Sequence, residues 1–256
     1  MDYSPTELMI VVAARTLPDR ASVAVGTGLP CAAAMLAQRT HAPNLLIVFE
    51  AGGIAPKLDR LPISVGDEAT YRRGAAAGSM ADVMQFAQKG MIDFTFLGGA
   101  QIDPYGNLNS TAIGPDRTKP KVRLPGSGGA NDLASFCRKT LTILKQDAKK
   151  FVPKLDFLTT PGYLTGPGAR EAAGLPPGTG PYRVFTDLAV LDYHPESFRM
   201  RIRSLHPGVT VAQAKAATGF ELAIADECES TAPPTTDELR ILRSEVDPGK
   251  LLIGKG

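Results

Sequence analysis

Cysteine is scarce in this chain: Cys31, Cys137 and Cys228 are the only three in 256 residues, odd in number and far apart. No Cys-x-x-Cys pair exists, which excludes a zinc knuckle and a thioredoxin-type redox motif and leaves reduced, buried thiols as the expectation. Histidine is equally sparse. His41, His194 and His206 lie beside prolines or turns without metal-ligand spacing, so no metal site is expected. No apolar run approaches the ~18 residues of a membrane span. The N-terminus, Met1-Asp-Tyr-Ser-Pro-Thr-Glu, lacks the basic start and apolar stretch of a signal peptide. A formal net charge of +2 is too small to imply nucleic acid or a membrane surface as partner. These absences together point to a cytoplasmic enzyme or binding protein.

What is present is an ordinary globular composition, 43% hydrophobic and 21% charged, long enough to bury a core without disulfides or a structural metal. Helical spacing predicts an opening helix over Thr6–Leu17, with Thr6 as its cap and Pro18 as its stop. Ala21–Val25 and Asn44–Phe49 read as buried strands around a helix from Leu29 to Arg39, with Pro30 in its first turn. Ala51–Gly78 is rich in Gly and Pro and reads as surface loop. Ser79–Lys89 follows as a capped amphipathic helix and Asp93–Leu97 as a third strand. Alternating strands and helices predict an α/β fold, an open and mostly parallel sheet flanked by helices, with residues 1–256 as a single domain.

In the second half, Thr140–Leu144, Asp156–Thr159, Tyr182–Thr186 and Ala189–Leu191 read as strands. Phe198–Leu205 alternates strictly, with Arg199, Arg201 and Arg203 on one face, and is expected as a half-exposed strand whose arginines meet solvent or another subunit. Helices are predicted over Val211–Thr218 and Thr236–Glu245, the second capped by Thr236 and ended by Asp247-Pro248-Gly249. Pro161–Pro181 reads as a long loop.

Three glycine-rich loops could carry chemistry. In Phe49-Glu50-Ala51-Gly52-Gly53, a carboxylate ends a buried apolar strand and two glycines follow. Ligands of open parallel sheets bind at such carboxyl ends, and glycines let a substrate approach the backbone. A solvated glutamate at a strand end is the plain alternative. The second loop runs from Gly98 to Asn109. Its amides, Gln101 and Asn107 among them, could position a polar ligand, or could simply be turn residues. The third, Pro125-Gly-Ser-Gly-Gly-Ala-Asn131-Asp-Leu133, runs into a short helix. Consecutive backbone N–H groups there can receive phosphate or an oxyanion. It falls short of a dinucleotide fingerprint, because Asn131 stands where the last glycine would be.

The order of an apolar strand, Glu-x-Gly, GGAQIDxxGNLN and PGSGGANDLAS resembles the β half of family I coenzyme A transferases. The similarity extends through Ser204–Thr210 (SLHPGVT) to the closing TDELRILRSEVDP, and is nearest the glutaconate-type β subunits. The resemblance implies that Glu50 is the nucleophile of a ping-pong reaction through a glutamyl-CoA thioester. It implies an oxyanion hole at Gly128 and Gly129, with Gln101, Asn107 and Asn131 as substrate-loop candidates. It further implies coenzyme A as substrate with no permanently bound cofactor, and an α subunit as partner in a heterotetramer or larger assembly. Relatives of the same fold include a ring-opening hydrolase and a decarboxylase that depart at the nucleophile position. Retention of Glu50 favours transfer over those alternatives. Ala51 and Gly53 around Gly52 depart from the Ser-Glu-Asn-Gly of oxoacid transferases and leave the acyl group open.

Overall fold

The computed structural model describes residues 2–254. Two compact units divide the chain: residues up to Phe96 together with those from Pro233 onward, and Leu97–Ala232.

The first unit opens with helix α1 (Pro5–Arg15). Its cap is Ser4, not Thr6. The Ser4 side chain accepts from the Glu7 amide and Glu7 accepts from the Ser4 amide, while Pro5 fills the first helical position, where no N–H is needed. Strand β1 (Ser22–Val25), helix α2 (Leu29–Arg39) and strand β2 (Leu46–Phe49) follow as the apolar pattern predicts. Small side chains from Cys31 to Ala37 let α2 bury all around. The Gly/Pro segment is more ordered than expected. It contains the two-residue strands β3 (Gly53–Ile54) and β4 (Ala76–Ala77) and a 3-10 turn, Glu68–Thr70. Ser79 caps helix α3 (Met80–Gln88) in a box with Asp82, and strand β5 (Phe94–Leu97) returns to the sheet. The strands lie in the order β5-β1-β2-β3-β4, parallel through β2 and antiparallel beyond it.

The second unit begins with two small hairpins, β6 (Gln101–Ile102) with β7 (Leu108–Asn109), and β8 (Ala112–Ile113) with β9 (Val122–Arg123). Helix α4 (Ala130–Phe136), strand β10 (Lys139–Ile143), the one-turn helix α5 (Ala169–Ala172) and strands β11 (Pro181–Phe185), β12 (Ala189–Tyr193) and β13 (Met200–Leu205) come next. Helix α6 (Val211–Ala216) and strand β14 (Ala223–Ser230) complete it. Strand order is β14-β13-β12-β11-β10; the outer pairs are parallel and β11-β12-β13 forms an antiparallel meander. Phe151, Val184, Leu191 and Ile202 lie at the centre of its core.

Asp156–Thr159 is not a strand. Its polar groups bind loops instead: the Asp156 carboxylate accepts from the Gly114 amide, and only Thr160 bridges to Leu108. β14 was not expected, because its exposed sequence Ala-Ile-Ala-Asp-Glu-Cys-Glu-Ser carries no buried apolar face. Arg201, expected to face solvent or a subunit, instead donates to the buried carboxylate of Asp192 on β12 at 2.8 Å. Cys31 and Cys137 are buried as expected, the Cys31 thiol pushed up to about 12 by burial, and Cys228 is half-buried.

Back in the first unit, Thr235, not Thr236, caps helix α7 (Thr236–Ile241), which continues as a π-helical turn over Leu242–Val246. This segment clasps α1 through Arg15–Glu238 and Arg243–Glu7, both at 2.6 Å. Among the described residues no helix is long and apolar enough to cross a membrane, and no cluster of His, Cys, Asp and Glu could hold a metal ion.

Candidate functional site

Glu50 is the residue immediately after β2, half-buried on a turn closed by the Gly52 amide donating to the Phe49 carbonyl at 2.9 Å. The two glycines behind it are required by their neighbours. Gly52 has φ +117, and a Cβ there would overlap the Gly78 carbonyl; a Cβ on Gly53 would overlap the carbonyl oxygen of Thr70. The Gly78 amide donates to the Gly52 carbonyl at 2.8 Å, and the Tyr71 hydroxyl donates to the Ala51 carbonyl at 2.6 Å. The segment from Ile54 to Gly78, which the sequence shows only as Gly/Pro-rich, is thus the brace of the Glu50 turn.

That brace has its own anchor. Asp67 is buried, receives both terminal nitrogens of Arg60 at 2.7 and 2.8 Å, and accepts from the Ala69 and Ile63 amides. The Arg60 guanidinium, with those amides, holds the Asp67 carboxyl well below the usual range. Asp67 therefore stays ionised and fixes the turn from which Tyr71 reaches Ala51. Tyr71 carries no sequence signal of its role, because nothing in one sequence separates a bracing tyrosine from a solvated one.

In the second unit, Gln101 and Asn107 are both buried and use their amides inside the fold. Gln101 donates to Asp156 and accepts from the Asn109 side chain and the Asp156 amide. Asn107 donates to Asp103 and the Leu164 carbonyl, and accepts from the Gly162 and Leu164 amides, so its whole hydrogen-bonding capacity is spent. Both residues shape the loop from Gly98 to Asn109. Burial pushes the Asp103 carboxyl up, against the hydrogen bonds it receives.

The third glycine loop is pinned at one end, where the Gly126 amide donates to the Ser110 carbonyl and the Ser110 hydroxyl donates to the Gly126 carbonyl. Gly128 is exposed in a left-handed conformation, φ +51, and Gly129 begins α4. Asn131 is exposed at its backbone, yet its amide side chain donates to the Thr159 carbonyl at 3.0 Å and holds α4 against the chain there. The far end of α4 is held by Arg170, a side chain with no motif around it in the Pro161–Pro181 loop. It is only 2% exposed and donates to the carbonyls of Ala134, Ser135, Pro161 and Gly162 and to the Thr179 hydroxyl. A guanidinium's planar fork of donors suits such a set of carbonyls at a helix C-terminus.

A carboxylate on a braced strand-end turn in one unit, and a glycine turn entering a helix in the other, are parts suited to acyl transfer. Residues 6–217 match the coenzyme A transferase family, and the chain belongs to that family. It is a CoA-transferase. The chain is 42% identical to the β subunit of 3-oxoadipate CoA-transferase from Pseudomonas knackmussii, over 94% of this chain and 93% of that one. The β subunit of glutaconate CoA-transferase from Acidaminococcus fermentans is 35% identical over 98% and 96%. The crystal structure of that enzyme superimposes with a TM-score of 0.94, at 34% identity, over 100% of this chain and 99% of that chain. The decarboxylase AibA/AibB shares the fold at a TM-score of 0.83 and 25% identity, over 99% and 100%.

Proposed function

We propose that this chain is the β half of a CoA-transferase that moves CoA between an acyl-CoA and a small carboxylic acid through a covalent intermediate on Glu50. The observation that carries the reading is the Glu50 turn: a carboxylate at a sheet's carboxyl end, backed by glycines and held by Tyr71 and Gly78. A nucleophile in a fixed geometry gains most of what orientation contributes to catalysis.

In the proposed sequence, the Glu50 carboxylate attacks the thioester carbonyl of acyl-CoA and expels CoA thiolate, leaving a mixed anhydride. The thiolate attacks the glutamyl carbonyl of that anhydride and expels the first carboxylic acid as its anion. The glutamyl-CoA thioester remains. The second acid then attacks it and the two steps run in reverse. Because the thioester energy is kept in the covalent intermediate, no ATP is needed. Water must be kept out, since it would hydrolyse the anhydride. Each tetrahedral intermediate carries an oxyanion, and the Gly128–Gly129 turn is the proposed receiver. Gln101, Asn107 and Asn131 are proposed to act by shaping the loops that face substrate.

The relatives' names refer to two acids, 3-oxoadipate and glutaconate, that each carry two carboxylates. They support a small dicarboxylic acyl group here, 3-oxo acids included. Both relatives are named as the second of two kinds of subunit, which supports an α subunit of separate sequence as partner and the whole chain working as a single half of the assembly. Coenzyme A enters as substrate.

The test is mass spectrometry of the chain co-expressed with its partner subunit, incubated with a panel of acyl-CoAs and trapped with borohydride or hydroxylamine. An acyl-CoA-dependent mass change at Glu50, absent in Glu50→Gln, is expected. A second reading, a thioester hydrolase or decarboxylase, is favoured by the likeness to AibA/AibB. Turnover of acyl-CoA with no adduct at Glu50 would establish that reading instead.

A further inference from the structure

The second unit contains a cavity of about 210 Å³ that the Glu50 chemistry does not use. Tyr163, Tyr182 and Phe198 form its walls, Arg138 and Lys139 stand at its rim, and the Arg170 guanidinium lies in its lining. Glu171 is its one acidic residue. The walls are built, not incidental. Tyr163 and Phe198 stack at 4.4 Å between ring centroids, and the Tyr163 hydroxyl is anchored on the Pro181 carbonyl at 2.8 Å. Phe198 is held at φ +55, a conformation costly for a bulky residue, and its ring ends up in the cavity wall. The Lys139 ammonium sits over the Tyr182 ring at 4.2 Å, which fixes its position at the rim.

The space itself depends on Gly180, at φ +138. A Cβ there would come within 3.0 Å of the Tyr163 ring and 3.4 Å of Arg170 Nε, so the missing side chain is what keeps the cavity open beside that nitrogen. Arg170 has no carboxylate among its hydrogen-bond partners, and its Nε–H is buried without any acceptor. A buried donor of this kind, next to open space, favours an anionic guest. The volume limits its size. Ligand pockets for drug-sized molecules run to roughly 300–1,000 Å³, so a nucleotide is too large and a short acid fits.

We propose that this cavity binds a carboxylate of a four- to six-carbon acid, its charge held by Lys139, Arg138 and the field of Arg170, its carbon chain against Tyr163 and Phe198. The proposal rests on the transferase reading for the meaning of the acid, and it names where that acid is recognised.

Adipate titrated into the isotope-labelled full chain tests it by NMR. Saturable shifts at the Gly166, Gly178 and Gly180 amides are expected, and Lys139→Met, an exposed position, should raise the dissociation constant about tenfold, one charge-assisted contact's worth. Gly180→Ala should abolish the shifts by filling the space. Absence of shifts at these glycines, an unchanged constant in Lys139→Met, or displacement of adipate by equimolar orthophosphate would each overturn the assignment. Binding should persist in Glu50→Gln. A chain that binds adipate here yet never forms an adduct keeps the cavity and loses the transferase mechanism; an adduct at Glu50 without adipate shifts does the reverse.

Discussion

Tyr71→Phe removes one oxygen atom and little else. The hydroxyl donates to the Ala51 carbonyl at 2.6 Å, one residue past Glu50, and the ring can stay where it is. A hydrogen bond of this kind contributes about 0.5–1.5 kcal/mol net. For a chain of this size that corresponds to a fall in melting temperature of roughly 2–4 °C per kcal/mol. The same ~1 kcal/mol is withdrawn from the turn that aims Glu50, and 1 kcal/mol changes the occupancy of the productive geometry by about fivefold. The rate of adduct formation at Glu50 should therefore fall up to about fivefold, with KM for acyl-CoA nearly unchanged, because substrate contacts are untouched. Rapid-quench trapping and thermal unfolding of the same preparation measure both quantities. A melting temperature lowered as expected with an unslowed adduct would refute the positioning role and leave Tyr71 as a structural residue only.

Two further outcomes follow from buried groups. Arg170→Met deprives four carbonyls and a hydroxyl of their shared donor, and should cost at least about 3 kcal/mol, read by denaturant unfolding. His206 is buried, with Nε2 donating to the Thr186 carbonyl at 2.8 Å and Nδ1 accepting from the Thr231 hydroxyl at 3.0 Å; burial lowers its affinity for a proton. The unfolded chain then binds the proton more readily, so stability should be full above the unfolded histidine value of about 6.5 and decline as pH falls below it. His206→Asn should flatten that decline in melting curves taken between pH 7.5 and 5.

How much of the molecule is legible in its sequence depends on what each residue does locally. Helix α2 is readable to its ends, because Pro30 and the small apolar run allow nothing else. Glu50 is readable because apolar strand and double glycine are adjacent in sequence. The Ser4 and Thr235 caps lie a residue or two from the expected positions, since neighbouring hydroxyls compete and the winner is the one with Glu three positions on. β14 is invisible, for an edge strand exposed on most of its length has no period of burial to betray it. Tyr71 and Arg170 give no signal because their partners are backbone carbonyls, which every residue has. Gln101 and Asn107 are legible as important amides, but whether an amide faces substrate or its own loop is decided by distant residues such as Asp156 and Gly162.

The first unit is discontinuous, and that fixes an order of events on the ribosome. Leu97–Ala232 is a continuous segment carrying its own core and can collapse while synthesis continues. The earlier segment has to wait. Glu7 and Arg15 of α1 meet Arg243 and Glu238 only after the intervening unit has been made. Until then the apolar face of α1 lacks the helix that clasps it, and the Glu50 turn belongs to an unfinished unit. A chain stalled or cut between the two units would present a folded second unit and an incomplete first one, so that the proposed nucleophile matures last.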